Sequence, residues 1–153
     1  MDERQFRKAM GKFATGITVV SMEYNNEIMA MTVNAFMSVS LSPKLIAVSI
    51  DEKAWMYDKI GEVKSFGLSI LSKEQENLSK IFAKQMESEE KVAFSSLDGV
   101  PVLQGAVSTL SCLVINTVKA GDHLIYIAEV TDYTINEQEP VIYFSGKYRN
   151  LEE

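Results

Sequence analysis

The chain of 153 residues has very few of the residue types that bind metals or form disulfide bonds. It contains one cysteine, Cys112, and one histidine, His123. A single thiol cannot close a disulfide within the chain, and one cysteine with one histidine is too few for a zinc site. The sequence therefore predicts a cytoplasmic protein without a metal centre of its own.

Long apolar runs and clusters of basic residues are lacking as well. No apolar stretch approaches the roughly 20 residues that a membrane-spanning helix needs, and the charged residues 1–10 lack the apolar core of a signal peptide. The formal net charge is −6, which argues against a nucleic-acid partner because contacts to phosphate backbones need clustered Lys and Arg. Walker A, G-x-G-x-x-G and G-x-S-x-G motifs do not occur in the sequence. We expect a soluble protein that binds neither membrane nor nucleic acid.

The sequence that is present predicts one domain in which strands dominate. The length is typical of a single domain, and no repeat or linker interrupts it. Helices are predicted at residues 2–15, 52–62 and 72–83, with Asp2 as the N-cap of the first and a capping-box pair, Ser72 and Gln75, at the start of the third. An irregular segment with a helical turn near residues 89–94 is predicted at 84–105. The other stretches alternate like strands, among them two long runs at 106–119 and 123–135, and an Asn-Asn turn predicts a hairpin at residues 17–36. Many strands with few helices favour an antiparallel barrel or sandwich with helices packed outside.

The stretch "MTVNAFMSVSLSP", residues 31–43, carries an unusual row of uncharged polar side chains. Every second residue from Thr32 to Ser42 is polar, apart from Phe36, and the residues between them are apolar. The stretch is longer than a typical strand, so a bend is predicted near Ala35 and Phe36. The polar row fits either a solvent-facing strand or the lining of a pocket.

Four further residues, at three places in the chain, have side chains that could take part in binding or catalysis. Cys112 lies in an apolar strand, where a free cysteine is usually an inert core residue rather than a nucleophile. His123 stands beside a tight turn, and it is either a surface residue or a group that titrates near neutral pH. Lys53 and Trp55 open the second predicted helix, where a cation and backbone N–H groups could meet a phosphate. An exposed lysine and a packing tryptophan are the alternative at that position.

Five stretches, taken in order, resemble the flavin reductase family, whose fold is the FMN-binding split barrel. They are "FRKAMGKFATGITVVS", "MTVNAFMSVSLSPKLIAVSID", "FAKQ", "AGDHLIYIAEV" and "VIYFSGKYR". The second is similar to the family's flavin-binding run T-x-N-S/A-F-x-S-V-S-x-x-P, and the fourth is similar to its Gly-Asp-His hairpin. The resemblance extends from about residue 6 to residue 149.

This resemblance implies a mainly β protein with flanking helices. It implies that residues 1–153 form a single six-stranded antiparallel split β-barrel domain that works as a homodimer. The implied activity is NAD(P)H-dependent flavin oxidoreduction, in which a hydride passes from nicotinamide to FMN or FAD. NADH or NADPH is then the co-substrate, and a redox protein is a possible acceptor.

The resemblance also assigns site residues. His123 is placed at the nicotinamide as the catalytic-site residue. The residues assigned to the flavin are Met31, Thr32, Val33, Asn34, Ala35, Ser38, Val39, Ser40, Ser49, Ile50, Asp51, Lys53, Trp55, Phe82, Ala83 and Lys84. Within this set, residues 31–35 are expected along the isoalloxazine ring, and Ser38 and Ser40 at the ribityl phosphate.

One departure from the family pattern concerns the phosphate. Many relatives have a hydroxyl-rich run where this chain has "DEKAW", residues 51–55. Ala54 and Trp55 offer no hydroxyl there, and Asp51 and Glu52 add negative charge. Lys53 and the start of the second predicted helix are therefore expected to hold more of the phosphate.

Two other functions remain open at this stage. One is a tightly FMN-bound electron-transfer flavoprotein that serves a rubredoxin- or monooxygenase-type acceptor. The other is a non-enzymatic flavin-binding protein, because one fold hosts several functions.

Overall fold

The computed structural model describes residues 1–84 and 92–152. The helices are α1 Glu3–Met10, α2 Lys59–Val63 and α3 Glu76–Phe82, and a 3₁₀ turn at Lys73–Gln75 leads into α3. The strands are β1 Thr18–Tyr24, β2 Glu27–Val33, β3 Phe36–Leu41, β4 Lys44–Asp51, β5 Ser65–Ile70, β6 Phe94–Leu97, β7 Val100–Leu103, β8 Ser108–Ala120, β9 His123–Ile135, β10 Val141–Phe144 and β11 Lys147–Asn150. The prediction of a mainly β protein with a few helices is confirmed.

One antiparallel sheet of seven strands forms the centre of the fold, in the order β2-β1-β5-β8-β9-β4-β3. Its two edge strands, β2 and β3, are consecutive in the chain and are joined only by Asn34 and Ala35. Because so short a link cannot cross a flat seven-stranded sheet, the sheet must curl until its two edges approach each other there. The prediction of six strands is therefore corrected to seven.

Closure of the barrel is not confirmed. In the part of the chain that the structure describes, β2 pairs only with β1, and β3 pairs only with β4. The link between them turns sharply, since Phe36 N–H donates to Asn34 O at 3.0 Å and Ser49 N–H donates to Ala35 O at 3.0 Å. The bend that the sequence predicted near residues 35–36 thus lies one residue earlier. It separates two strands instead of kinking one.

Two apolar clusters lie on opposite faces of the sheet near β2. The larger cluster fills the concave side around Phe66, Leu68 and Tyr126, and Met29 and Met31 of β2 pack against it. The smaller cluster includes Val19 and Leu71, and Ala30 of β2 packs against it. The alternation of β2 therefore places its two methionines in one cluster and Ala30 in the other.

The second predicted helix is shorter than expected. Residues 52–58 form turns, and helix α2 begins only at Lys59. The cause is Asp51, whose side chain accepts a hydrogen bond from Lys53 N–H at 2.9 Å while its carbonyl accepts one from Ala54 N–H at 2.9 Å. Such an Asx turn competes with helix formation. The predicted helix N-terminus beside Lys53 and Trp55 is therefore wrong.

Two other local predictions change. Residues 94–103, predicted to be irregular, form the hairpin of β6 and β7. The first half of the helical turn predicted near residues 89–94 lies outside the described residues. The last predicted strand is a hairpin of β10 and β11, whose turn at Ser145 and Gly146 has positive φ at both positions.

The predicted caps and the first hairpin turn are confirmed. Asp2 accepts a hydrogen bond from Arg4 N–H at 2.9 Å at the start of α1, and Gln75 Oε1 accepts one from Ser72 N–H at 2.9 Å. Asn25 and Asn26 both have positive φ between β1 and β2, as the tight hairpin turn requires. Within residues 1–84 and 92–152, none of the helices is long and apolar enough to cross a membrane.

Candidate active site

A cleft of about 480 Å³ runs along the free edge of β2. Three separate stretches line it: residues 29–32 of β2, residues 53–56 of the turns after β4, and residues 82–84 at the end of α3. The turns approach β2 from the side of the larger cluster, to which Met56 belongs. The end of α3 approaches from the other side, where Phe82 packs against the smaller cluster.

The cleft brings together seven of the residues that the sequence assigned to the flavin. They are Met31, Thr32, Lys53, Trp55, Phe82, Ala83 and Lys84. The strand is held in place because the hydroxyl of Thr32 donates to Ser79 O at 2.6 Å, which fixes α3 over β2. That hydroxyl is therefore used within the fold. In the described part of the chain the outer edge of β2 has no strand neighbour, so alternate backbone N–H and C=O groups face outward there.

Four further residues line the same cleft without having been assigned: Met29, Ala30, Ala54 and Met56. Met29 shares a face of β2 with Met31, so its two-residue spacing was a usable signal. Ala54 was noted in the sequence only because alanine has no hydroxyl to offer a phosphate, and not as a residue of the cleft. Met56 has no signal in the sequence, because its position depends on the turns that replace the predicted helix.

Lysines give this cleft its positive charge. Lys53 and Lys84 both line it and are both exposed. The Asp51 carboxylate accepts a hydrogen bond from the Lys53 backbone N–H, which partly offsets its negative charge. Glu52 reaches Lys119 Nζ at 3.4 Å on the other side of the turn. The negative charge that the sequence placed near the phosphate is thus paired with groups of the protein itself.

The polar row of residues 32–42 does not lie on one face. Ser38 stands opposite Ile46 of β4, whereas Ser40 stands opposite Leu45, because an irregularity at Val39 shifts the register. Leu45 and Ile46 are consecutive and point to opposite faces, so Ser38 and Ser40 do too. The one-residue shift explains why alternation in the sequence did not carry through the structure.

The predicted residues between β2 and β4 are placed outside the cleft. Val33 and Ile50 are both buried members of the larger cluster, so their side chains belong to the core. Asn34 and Ala35 are exposed in the link, while Ser49 and Asp51 are half-buried at the end of β4. Ser38, Val39 and Ser40 lie on edge strand β3. The cleft therefore unites the first and last segments of the predicted site but not its middle.

His123 lies at the start of β9, next to the cleft but not among the residues that line it. Its Cα is paired with that of Asp51 across the sheet, and Asp122 O accepts a hydrogen bond from Glu52 N–H at 2.9 Å. The imidazole Nδ1 lies 2.8 Å from Asp122 Oδ1. The hydrogen bond with His123 lowers the pKa of the Asp122 carboxyl, and the nearby charge of Lys53 acts in the same direction.

Cys112 is excluded from chemistry by its surroundings. Its side chain is buried in the larger cluster, and burial raises the pKa of the thiol to about 12. Because the thiolate is the nucleophilic form, Cys112 is unreactive at neutral pH. The prediction that it is an inert core residue agrees with this environment.

A second, smaller cleft of about 160 Å³ adjoins the first through Thr32 and Ala83. Asn34, Tyr143 and Tyr148 line it as well. The hydroxyl oxygens of Tyr148 and Ser79 lie 2.9 Å apart, and the rings of Tyr143 and Tyr148 meet edge to face with centroids 5.3 Å apart. No pattern in the sequence linked residues of the closing hairpin to Asn34.

The lining of the main cleft fits a flavin in its chemistry. Methionine, phenylalanine and tryptophan side chains offer apolar contact to a flat ring, and the strand edge offers backbone groups to the ring's polar rim. The two lysines suit a phosphate. A volume of about 480 Å³ lies within the usual range for small-molecule sites.

Comparison with curated proteins places this chain among flavin reductases. It is 40% identical over 149 residues to an NADH-dependent flavin reductase of Rhodococcus sp, which covers 95% of this chain and 85% of the relative. It is 33% identical over 147 residues to the reductase component of 4-hydroxyphenylacetate 3-monooxygenase from Thermus thermophilus, which covers 95% of each protein.

Solved structures of flavin reductases have the same fold as this chain. The flavin reductase PheA2 superimposes with a TM-score of 0.97 at 53% identity and covers 100% of both chains. The NADH:FAD oxidoreductase SgcE6 of Streptomyces globisporus C-1027, in complex with NAD and FAD fragments, superimposes with a TM-score of 0.92 at 32% identity over 99% of this chain and 93% of that one. The model of the flavin reductase like domain matches residues 10–152. The chain therefore belongs to the flavin reductase family.

Proposed function

We propose that this protein is an NADH-dependent flavin reductase whose flavin binds in the cleft along the edge of β2. One observation carries the proposal: residues 31–32, 53–55 and 82–84, far apart in the sequence, line a single cleft. The resemblance had assigned all three segments to the flavin on sequence alone. Family membership supports NADH-dependent flavin reduction as the reaction, and the lining of the cleft supports the edge of β2 as the place where flavin binds.

The side chains of the cleft bind and shield the ring. Met31 and Phe82 supply apolar surface from opposite sides of β2 and exclude water from the ring between them. Lys53 and Lys84 attract the phosphate. A bound flavin supplies the redox chemistry, since it accepts a hydride at N5 from the C4 of reduced nicotinamide. The protein has to hold the two rings in contact, and no side chain has to act as a general acid for the hydride itself.

His123 is proposed to position the nicotinamide nucleotide. The Asp122 carboxylate holds the imidazole at Nδ1, which leaves Nε2 available for the second substrate. Glu52 N–H ties the Asp122 turn to the segment that begins the cleft wall. The nicotinamide end of a nucleotide held by His123 would thus lie beside the flavin cleft rather than within it.

A homodimer is proposed because the convex face of the sheet is apolar where β3, β4, β9 and β8 meet. Directly opposed residues share a face, so the register places Met37, Ala47 and Ile127 together. The same face holds the other members of the patch, Leu45, Leu113, Val118 and Ile125. Met37 is 58% exposed, and Leu113 and Val118 are exposed too. Glu129 stands opposite both Leu45 and Leu113 and adds a charge to this face. The exposed apolar residues around it are typical of a surface that another chain covers.

The proposed partner in the cell is an oxygenase. A relative named above is the reductase component of a monooxygenase, so we propose that reduced flavin made here is used by a separate flavin-dependent protein. A cytoplasmic location is also proposed, in keeping with the free thiol of Cys112.

Anaerobic spectroscopy tests the proposed function. The purified protein is mixed with FAD or FMN and then with NADH or NADPH, and absorbance is followed at the flavin bands. We expect bleaching that depends on the protein and is faster with NADH. Absence of bleaching with either nucleotide would overturn the proposal. A flavin that survives dialysis would identify the tightly bound electron-transfer type instead of a reductase with a diffusible flavin.

A further inference from the structure

Trp55, the only tryptophan of the chain, lines the cleft together with two lysines and several apolar residues. It is 44% exposed. A single exposed aromatic residue on a surface carries little information. Here, however, the exposed part of the indole belongs to a cleft in which the other large side chains are methionines, Phe82 and lysines.

The indole ring is held in place by its neighbours. The ring of Tyr24 meets it edge to face with centroids 5.4 Å apart. Lys59 Nζ lies 5.1 Å from its centroid and is itself held by Asp58 Oδ1 at 3.0 Å. Trp55 is therefore a fixed surface, which lowers the entropy cost of placing a flat ligand against it.

The residues on either side supply charge that suits a diphosphate. Lys53 precedes Trp55 by two positions in a turn fixed by Asp51, and Lys84 lies at the end of α3. The cleft therefore presents an aromatic surface, two ammonium groups and an apolar floor in one space. An adenine ring, a diphosphate and a second flat ring have matching properties.

We propose that Trp55 is a specificity residue that contacts the adenine ring of a dinucleotide, while Lys53 and Lys84 meet its diphosphate. FAD and NADH share this ADP group, and FMN and reduced nicotinamide mononucleotide lack it. The proposal rests on the proposed function, because it presumes that the cleft receives flavin or its reductant. It gives the "DEKAW" segment a role of its own, because the aromatic residue of that segment lines the cleft.

Equilibrium titrations of Trp55→Leu and Trp55→Phe test the proposal without turnover. If FAD supplies the adenine, Trp55→Leu raises the Kd for FAD about tenfold, as expected for loss of one base–aromatic contact. The Kd for FMN then changes less than twofold, and Trp55→Phe retains most of the FAD affinity. If NADH supplies the adenine ring, Trp55→Leu instead raises the Kd for NADH about tenfold and changes the Kd for reduced nicotinamide mononucleotide less than twofold.

Tyr133→Leu is the matched control, because Tyr133 is 55% exposed and lies outside the residues lining the cleft. It should leave all four dissociation constants unchanged. Equal effects of Trp55→Leu on both members of each pair, or no effect on any of them, would overturn the proposal. Failure of NADH to reduce either flavin would count against the proposed function instead, since the binding measurements need no reduction.

Discussion

At the scale of single residues, His123 is proposed to act at a site whose cleft it does not line. The Asp122–His123 turn is bonded to Glu52, one residue before Lys53. Replacing His123 with Ala should raise the KM for NADH about fivefold to tenfold, as expected for loss of one ordinary hydrogen bond. The Kd for flavin should change less than twofold, since the imidazole does not line the flavin cleft.

Steady-state kinetics and a flavin titration on the same preparation separate the two effects. Asp122→Asn is the matched control, because it keeps the imidazole and removes only the carboxylate that orients it. This control should give a smaller rise in KM. An unchanged KM in His123→Ala would remove His123 from the nucleotide site.

Cys112 gives a prediction about the pH dependence of stability. Its thiol pKa is raised from 9.0 to about 12 by burial. Between these values the unfolded thiol has lost its proton and the folded thiol has kept it, so the free energy of unfolding falls as the pH rises. The stability difference between the wild type and Cys112→Ala should fall between pH 9 and 10.5 with a slope approaching 1.4 kcal/mol per pH unit. Urea unfolding measures it, and a difference that is flat with pH would contradict the burial argument.

At the scale of elements, the close approach of β5 and β7 is the tightest requirement of the fold. A Cβ on Gly67 would lie 1.9 Å from Pro101 O, the carbonyl that also accepts the hydroxyl of Ser21 at 2.6 Å. Gly67→Ala should therefore lower the free energy of unfolding by about 2–3 kcal/mol, in the range of overpacked cores. Gly16→Ala is the control, because its Cβ would have no atom within 4 Å and should change stability by less than about 0.5 kcal/mol.

Equal unfolding midpoints for the two variants in urea would contradict this packing.

The same elements show what the sequence could predict. The cap at Asp2, the Asn-Asn turn and the two long strands follow from local side-chain chemistry and alternation, so they were readable. The register shift at Val39 and the turns at residues 52–58 depend on pairing across the sheet and on one aspartate side chain, so they were not.

The candidate site likewise contains some residues that could be predicted from the sequence and others that could not. Met31, Lys53 and Phe82 were predicted through resemblance and lie in one cleft. Ser38 and Ser40 were assigned to the phosphate through the same resemblance, but the register shift at Val39 places them on opposite faces of β3. Met56 and Tyr148 had no signal, because tertiary packing alone brings them to the two clefts.

At the scale of the whole molecule, the apolar convex face predicts self-association. Met37→Lys combined with Leu113→Lys places two charges on that face and should halve the mass measured by analytical ultracentrifugation. Ile28→Lys is the control, since Ile28 is 46% exposed on β2 and lies away from the patch. A wild-type protein that sediments as a monomer at all concentrations would contradict the proposed dimer.

The central claim is that flavin binds along the free edge of β2. A crystal structure of the protein grown or soaked with FMN tests it most directly. We predict the isoalloxazine ring in contact with Met31 and Phe82, and the phosphate within reach of Lys53 or Lys84. Flavin bound instead in the cleft of about 840 Å³ between α1 and the β10–β11 turn, or anywhere away from β2, would contradict the claim.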